Sequence, residues 1–365
     1  MRTSRPDPSG SNFLSAVPGV AKDGEMGKNA INRTGGTSRR SGNPPVVSFS
    51  DEFSPKTDPP EVLDESGLIE RMAGKGFVDA RTNQARYFLR RIGYAHASDY
   101  FRSFSGGARP GLMAIHQAIL FDRRMQSEIM KGIGLFELQF RAQYAYLMSA
   151  EGGAFAHRDP SNYKDREHFL SFLSDYEREV NRQLANRNGK ILHFVETYGD
   201  APIWQAVEIM SFGTLSKLYR NTRSRSVRIG VADSFGIRYE ILTSWMRTIS
   251  FVRNRCAHFG KLFGTRLVAA PKGIPDVQLR NTHPFYVVLM LEKLLSTDDE
   301  FSDDPSLMYS LDLARNIAGI IGTTPLEVRS RLVPANWRSL MTRRDIVGTD
   351  FELVPADSGS DPMRL

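Results

Sequence analysis

Nine apolar residues recur along one stretch of the chain at the spacing of a helix face, and they limit the fold more than any other feature. Ile115, Ile119, Met125, Ile129, Ile133, Phe136, Phe140, Tyr144 and Leu147 follow one another at mostly three- and four-residue steps. That spacing aligns them on one side of a 3.6-residue helix. Gly132 and Gly134 interrupt the pattern, each costing about 1 kcal/mol relative to alanine in a helix interior. A kink or a close helix crossing is therefore expected there. Glu137 and Arg141 lie four apart and can pair on one face. They are expected as a surface pair; a buried position beside the catalytic candidates below would make them supporting residues instead.

The flanking segments repeat this period on a smaller scale. GLIERMAGKGFV and then RTNQARYFLRRIGYAHASDYF read as two short helices and a turn, with Leu89, Ile92 and Tyr100 on a seam among basic residues. GGARPG at 106–111 is a break, and HRDPSNYKD at 157–165 a loop. REHFLSFLSDYEREVNRQL is an amphipathic helix, ended by NRNGK. PIWQAVEIMSFGTLSKLYR opens with a proline suited to a first helical turn. RYEILTSWMRTISFVRNRCAHFGKLF gives a further helix, and HPFYVVLMLEKLL a buried one whose length favours helix over strand. After the acidic linker STDDEFSDD, SLMYSLDLARNIAGII and TPLEVRSRL form a helical appendix. Period-two alternation is scarce, so the predicted fold is all-α.

Residues 1–57 are rich in Gly, Ser, Pro, Asn and Arg and lack periodicity. They bury too little apolar surface to offset chain entropy and are expected to stay disordered. The main helical domain is expected over 58–297, the appendix over 298–345 and a second disordered tail over 346–365. No run of eighteen apolar residues exists to span a membrane. The N-terminal MRTSRPDPSGSNFLSAVPGVAKDGE argues against a secretory signal. The single cysteine, Cys256, rules out an internal disulfide, and a cytoplasmic location is expected.

Charge is unevenly placed. The whole chain carries +7, yet residues 216–266 alone hold eleven Lys and Arg against two acids, Asp233 and Glu240. A local excess of nine suits a polyanion such as nucleic acid; a solvated face with a flexible loop around TRSRS is the alternative. Within this window lies RNRCAH, 253–258. On a helix over 245–263, Trp245, Ile249, Val252, Cys256, Phe259 and Phe263 form a core stripe, opposed by Arg247, Ser250, Asn254, His258 and Lys261. His258 thus belongs to the polar side, while Cys256 points inward as a packed hydrophobe. Asn254 is one turn from His258, where its amide could orient the imidazole. Arg253 lies about 140° around from His258 and can reach a shared phosphate through its long side chain or a loosened last turn. Taken alone, Arg253 and Arg255 fit a basic helix end, where a cation gains about 0.3–1 kcal/mol. The chain has no HExxH, no paired cysteines and no GxxxxGK[ST], GxGxxG or GxSxG, so neither metal nor cofactor is expected.

Several blocks occur together and in order: FLRRIGYAHASDYFRSF, AILFDRRM, the segment around FELQFR, PIWQAVEIMSFGTLSKLY, WMRTISFVRNRCAHFGKL and a late VPANW. In these blocks the chain resembles the Abi-like (AbiD/AbiF) abortive-infection family, whose core belongs to the HEPN superfamily of helical RNases. The resemblance spans roughly 60–340 and implies a HEPN-like helical bundle with helical N- and C-terminal additions. The superfamily signature of Arg, a polar residue, a short spacer and His carries over as Arg253, Asn254 and His258. Where the family usually has a second histidine this chain has Phe259, and Lys261 and Gly264 stand where Arg and Asn often follow. Gly134 and Leu135 replace an acidic–basic pair.

The resemblance implies a metal-independent endoribonuclease of phage defence, in which the ribose 2′-hydroxyl attacks the adjacent phosphorus. Histidine, with an ordinary pKa of about 6.5, suits the proton transfers, and arginine's fixed fork suits the phosphoryl charge. One motif offers one histidine, so a homodimer is expected to bring His258 and Arg253 from each subunit around single-stranded RNA. Arg247, Arg255 and Lys261 are the expected RNA contacts. The second hypothesis, favoured by the replaced neighbours, is a non-catalytic RNA-binding or regulatory module that grips an inhibitory RNA or protein. Duplex DNA binding through the basic window is a third.

Overall fold

The computed structural model describes residues 61–104, 111–268, 270–273, 282–296 and 309–341. The expected tails at 1–57 and 346–365, most of the GGARPG break and most of the acidic linker lie outside the described residues. In chain order the helices are α1 (Glu65–Gly74), α2 (Asn83–Ile92), α3 (Tyr94–Phe101), α4 (Leu112–Gly152), α5 (Arg166–Ala185), α6 (Gly189–Tyr198) and α7 (Ile203–Ile209). They continue as α8 (Phe212–Asn221), α9 (Arg225–Asp233), α10 (Tyr239–Ala257), α11 (Tyr286–Leu295), α12 (Tyr309–Thr323), α13 (Leu326–Leu332) and α14 (Trp337–Met341). All belong to one unit, Val62–Leu365. No strand occurs among the described residues, and the fold is all-α. No described helix is long and apolar enough to cross a membrane.

α4 is the axis on which the rest is hung. Its 41 residues rise about 60 Å, and α3, α7, α9, α10, α11, α12 and α13 pack against it. Eight of the nine stripe residues are buried, and Leu147 is partly so. The helix runs unbroken through both glycines, and a close crossing accounts for the first of them. A Cβ on Gly132 would stand 3.2 Å from a Leu291 methyl and 3.3 Å from a Leu313 methyl. α11 and α12 therefore meet α4 over bare backbone. Around Phe136 and Phe140 a cluster of rings ties α4 to α8; Phe140 meets Tyr219 edge-on at 5.2 Å and Phe136 meets Phe212 at 5.9 Å.

Three local expectations change. The segment read as one helix through RYFLRRIGYAHASDYF is two, α2 and α3, because Gly93 sits at φ 79° between them. PIWQAVEIMSFGTLSKLYR also divides: Met210 is extended, and Ser211 caps α8 by accepting from the Thr214 N–H at 3.1 Å. The TRSRS stretch is not loose. Ser224 caps α9, accepting from the Val227 N–H at 3.2 Å, and Arg223 donates to the Ser161 and Tyr163 carbonyls at 3.0 and 2.6 Å. Part of the basic excess is therefore structural.

α11, expected as a buried helix, carries one misfit. Both Glu292 carboxyl oxygens are buried without a hydrogen-bond partner among the described residues, and burial pushes its pKa up to about 8. The folded chain keeps a proton there that the unfolded chain releases above its ordinary range. The linkage sign is then fixed: stability falls as pH rises from about 4.5 through about 8. Glu292→Met is expected to add roughly 3 kcal/mol at pH 7 and to flatten that decline. Denaturant unfolding from pH 5 to 8 measures both, and parallel pH profiles for the two proteins would contradict it.

Candidate active site

α10 ends in a turn that reverses the chain. His258 is the cap; its N–H donates to the Asn254 carbonyl at 3.1 Å, Phe259 N–H to Cys256 at 3.0 Å, and Gly260 N–H to Arg255 at 2.9 Å. This is the paired bonding of a Schellman motif, in which the residue after the cap is left-handed and usually glycine. Here it is Phe259, at φ 55°, where a Cβ costs about 1–2 kcal/mol. The helix therefore does not reach 263. Phe259, expected in the core stripe, is 69% exposed; Phe263 is buried only because the chain has doubled back. A Cβ on Gly260 would meet the Arg255 side chain at 3.0 Å, so any larger residue there would have to push the Arg255 stem aside.

What holds the strained turn comes from α4. Asp122 is buried, and its carboxylate accepts four hydrogen bonds: Leu262 N–H at 2.9 Å, Phe263 N–H at 2.9 Å, Tyr100 O–H at 2.5 Å and Gln126 N–H at 3.0 Å. Burial, the larger effect, raises its pKa, opposed by those donors. Gln126 also donates to the Gly260 carbonyl at 3.0 Å. Arg123 grips the Phe259 carbonyl, places its guanidinium 5.3 Å from the Phe259 ring centre and meets His96 Nε2 at 2.8 Å. A guanidinium has only donors, so His96 Nε2 accepts from Arg123; burial first and the Arg123 charge second hold His96 below the ordinary histidine range. The turn is over-determined, as backbone strain at a working site must be.

These holding residues were not among the sequence candidates. Their signal was present: Asp122 fills the slot between Ile119 and Met125 where the α4 stripe skips a step. FLRRIGYAHASDYFRSF and AILFDRRM are far from RNRCAH in sequence, and α3 and α4 bring their His96, Tyr100, Asp122 and Arg123 beneath it.

The sequence-predicted residues divide into two groups. Arg253 is half-buried and Asn254 and His258 are exposed; none makes a side-chain hydrogen bond among the described residues. The Asn254 amide does not hold the imidazole; its backbone carbonyl fixes the His258 N–H instead. Arg247 is exposed two turns earlier on α10. Arg255 is half-buried, with Nε committed to the Lys261 carbonyl and the guanidinium 6.0 Å from the Phe251 ring centre. Lys261 is a correction. Because the helix ends at Ala257, Lys261 turns inward, is 4% exposed, and donates to Asp99 O at 3.0 Å and Ser103 Oγ at 2.6 Å. Its ammonium is spent inside the fold and is not available to RNA.

Glu137 and Arg141 are corrected in the other direction. They form the expected ion pair, but Arg141 is buried and also donates to the Met210 carbonyl at 2.9 Å. That carbonyl immediately precedes the Ser211 cap of α8, so the pair braces the helix packed against α10. Cys256 is buried as expected, and burial pushes its thiol up to about 12, which keeps it un-ionised near neutral pH. Among the described residues no three His, Cys, Asp or Glu side chains are grouped to hold a metal.

Residues 87–264 match the family model described as Abi-like protein. The chain belongs to the Abi-like family. The match starts in α2, takes in α3 to α10 and ends at Gly264; within the Abi-like segment lie RNRCAH and the α3 and α4 residues that lock its turn. Comparison with curated proteins and with solved structures gives no match. Membership in the Abi-like family points towards abortive-infection defence against phage.

Proposed function

We propose that this Abi-like protein is a metal-independent endoribonuclease of the HEPN type, which cuts RNA to arrest growth of infected cells. One observation carries this reading. The guanidinium of Arg253 and the imidazole of His258 have no intramolecular side-chain partner among the described residues, yet they stand at the end of α10, where four hydrogen bonds to α4 hold the reversing turn. Fixed backbone under unspent polar groups is the arrangement that preorganised catalysis requires.

The chemistry follows from the side chains. One imidazole removes the proton from the ribose 2′-hydroxyl as its oxygen attacks the phosphorus; another protonates the departing 5′-oxygen. The products are a 2′,3′-cyclic phosphate and a 5′-hydroxyl. Arg253 neutralises the charge that builds on the non-bridging oxygens, and Asn254 donates to the phosphate rather than to the imidazole. Acid and base act at once, so two copies face each other with His258 and Arg253 from each around one phosphodiester. A fully active monomer would exclude that shared site.

A second reading, an RNA-binding regulatory module without cleavage, draws on Phe259 and on the burial of Lys261, which leaves one cation fewer at the site. Expression in bacterial cells separates the two. The wild-type protein is expected to arrest growth, and His258→Ala and Arg253→Ala at equal protein levels to restore it. Variants as toxic as wild type would overturn the nuclease reading.

A further inference from the structure

We propose that the groove between α8 and α10 is the seat of the RNA strand that flanks the scissile phosphate, and that it grips the phosphate backbone without reading bases. This rests on the RNA-directed reading above and extends it to residues away from the motif. The groove encloses about 730 Å³ and is lined by Lys217 and Arg220 from α8, Arg247, Ser250 and Asn254 from α10, and Lys272 from the segment that follows. From Glu240 to Asn254 it follows fourteen residues of α10, about 21 Å at 1.5 Å each. Its far end is Asn254, one turn before His258, so a strand lying in it is delivered to the motif.

Charge identifies the ligand class. The four cationic side chains of the groove make no hydrogen bond or ion pair among the described residues. Of the two acids on its wall, Asp175 is held by Arg178 at 2.5 Å, which leaves Glu240 as the acid without an ion-pair partner among the described residues. Four unspent positive charges against one negative repel one another, and an anion spread along the groove offsets that repulsion. The spacing over two helices and a loop fits a chain of phosphates rather than one small anion. Ser250 and Thr214 are half-buried on the groove wall and add hydroxyls that can bond to phosphate or sugar oxygens. Among the described residues no aromatic side chain lines the groove, which favours recognition through phosphate and sugar over base stacking.

The test measures the affinity of the full-length protein for a fluorescent single-stranded RNA from 50 to 300 mM salt. The triple variant Lys217→Gln, Arg220→Gln, Lys272→Gln is compared with Arg71→Gln, Arg166→Gln, Lys190→Gln, which removes the same charge from exposed sites elsewhere. Three lost phosphate contacts lower the salt slope by about 2, from roughly 0.7 per contact on single strands; the control keeps the wild-type slope, and RNAs of different sequence bind alike. Equal slopes for groove and control variants, no binding of single-stranded RNA, or preference for duplex DNA would each overturn the groove. Failure here is separable from failure of the nuclease reading. Cleavage that survives intact in the groove variant sinks only the groove, whereas groove-dependent binding without cleavage sinks only the nuclease.

Discussion

Asp122→Ala is expected to lower the folding stability by about 3–5 kcal/mol, one of the largest single-residue losses available in this chain. The substitution removes one acceptor and strands four donors: the Leu262 and Phe263 N–H groups, the Tyr100 hydroxyl and the Gln126 amide. A buried donor left unpaired costs about 1–3 kcal/mol, and water entering the vacated space recovers part of the total. The damage is directed as well as large. The turn at Phe259 sits in a backbone region that a phenylalanine does not choose, and it is kept there by α4. With Asp122 gone, the segment after His258 relaxes, and RNA cleavage is expected to fall along with stability. Asp122→Asn keeps one acceptor and should lose about half as much. Urea unfolding of the three proteins decides it; an alanine variant within about 1 kcal/mol of wild type would show that the turn holds itself.

His258→Ala is expected to act in the opposite way, with little effect on folding and a 10²–10⁴-fold loss of RNA cleavage. The side chain is exposed and makes no hydrogen bond among the described residues, so its removal should change stability by no more than about 0.5 kcal/mol. The cap bond from its backbone N–H to Asn254 remains in the variant. Arg253→Ala should lose 10²–10³-fold through the phosphoryl charge it no longer neutralises. Single-turnover assays in EDTA, beside thermal melts, give both readouts. A His258→Ala protein that cleaves at the wild-type rate would remove histidine from the chemistry.

The sequence made the helices legible because each apolar stripe is long enough to show its period. The α4 stripe and the α11 run were read as helices from spacing and length alone, and the buried face of α10 was right from Trp245 to Cys256. The α10 stripe failed at its end, where Phe259 keeps the helical spacing but sits past the last helical residue. Periodicity carries no stop signal when the left-handed position after the cap is filled by phenylalanine instead of glycine. That one error also misplaced Lys261, which a continued helix puts on the polar face and the reversed chain buries. The motif itself was readable as Arg253, Asn254 and His258, but what holds it was not, because Asp122, Arg123 and Gln126 reach it across more than a hundred residues of sequence. Nor does spacing reveal that Glu137 and Arg141 are a buried brace; an i, i+4 pair looks the same on a wet or a dry face.

The nuclease account is tested most directly by the chemistry of the RNA ends. Purified protein is incubated with a single-stranded RNA of known sequence in excess EDTA, and the new termini are identified by mass. The account predicts 2′,3′-cyclic phosphate and 5′-hydroxyl ends from the wild-type protein and intact RNA from His258→Ala. Ends bearing a 5′-phosphate, or cutting that appears only when a divalent cation is restored, would contradict it.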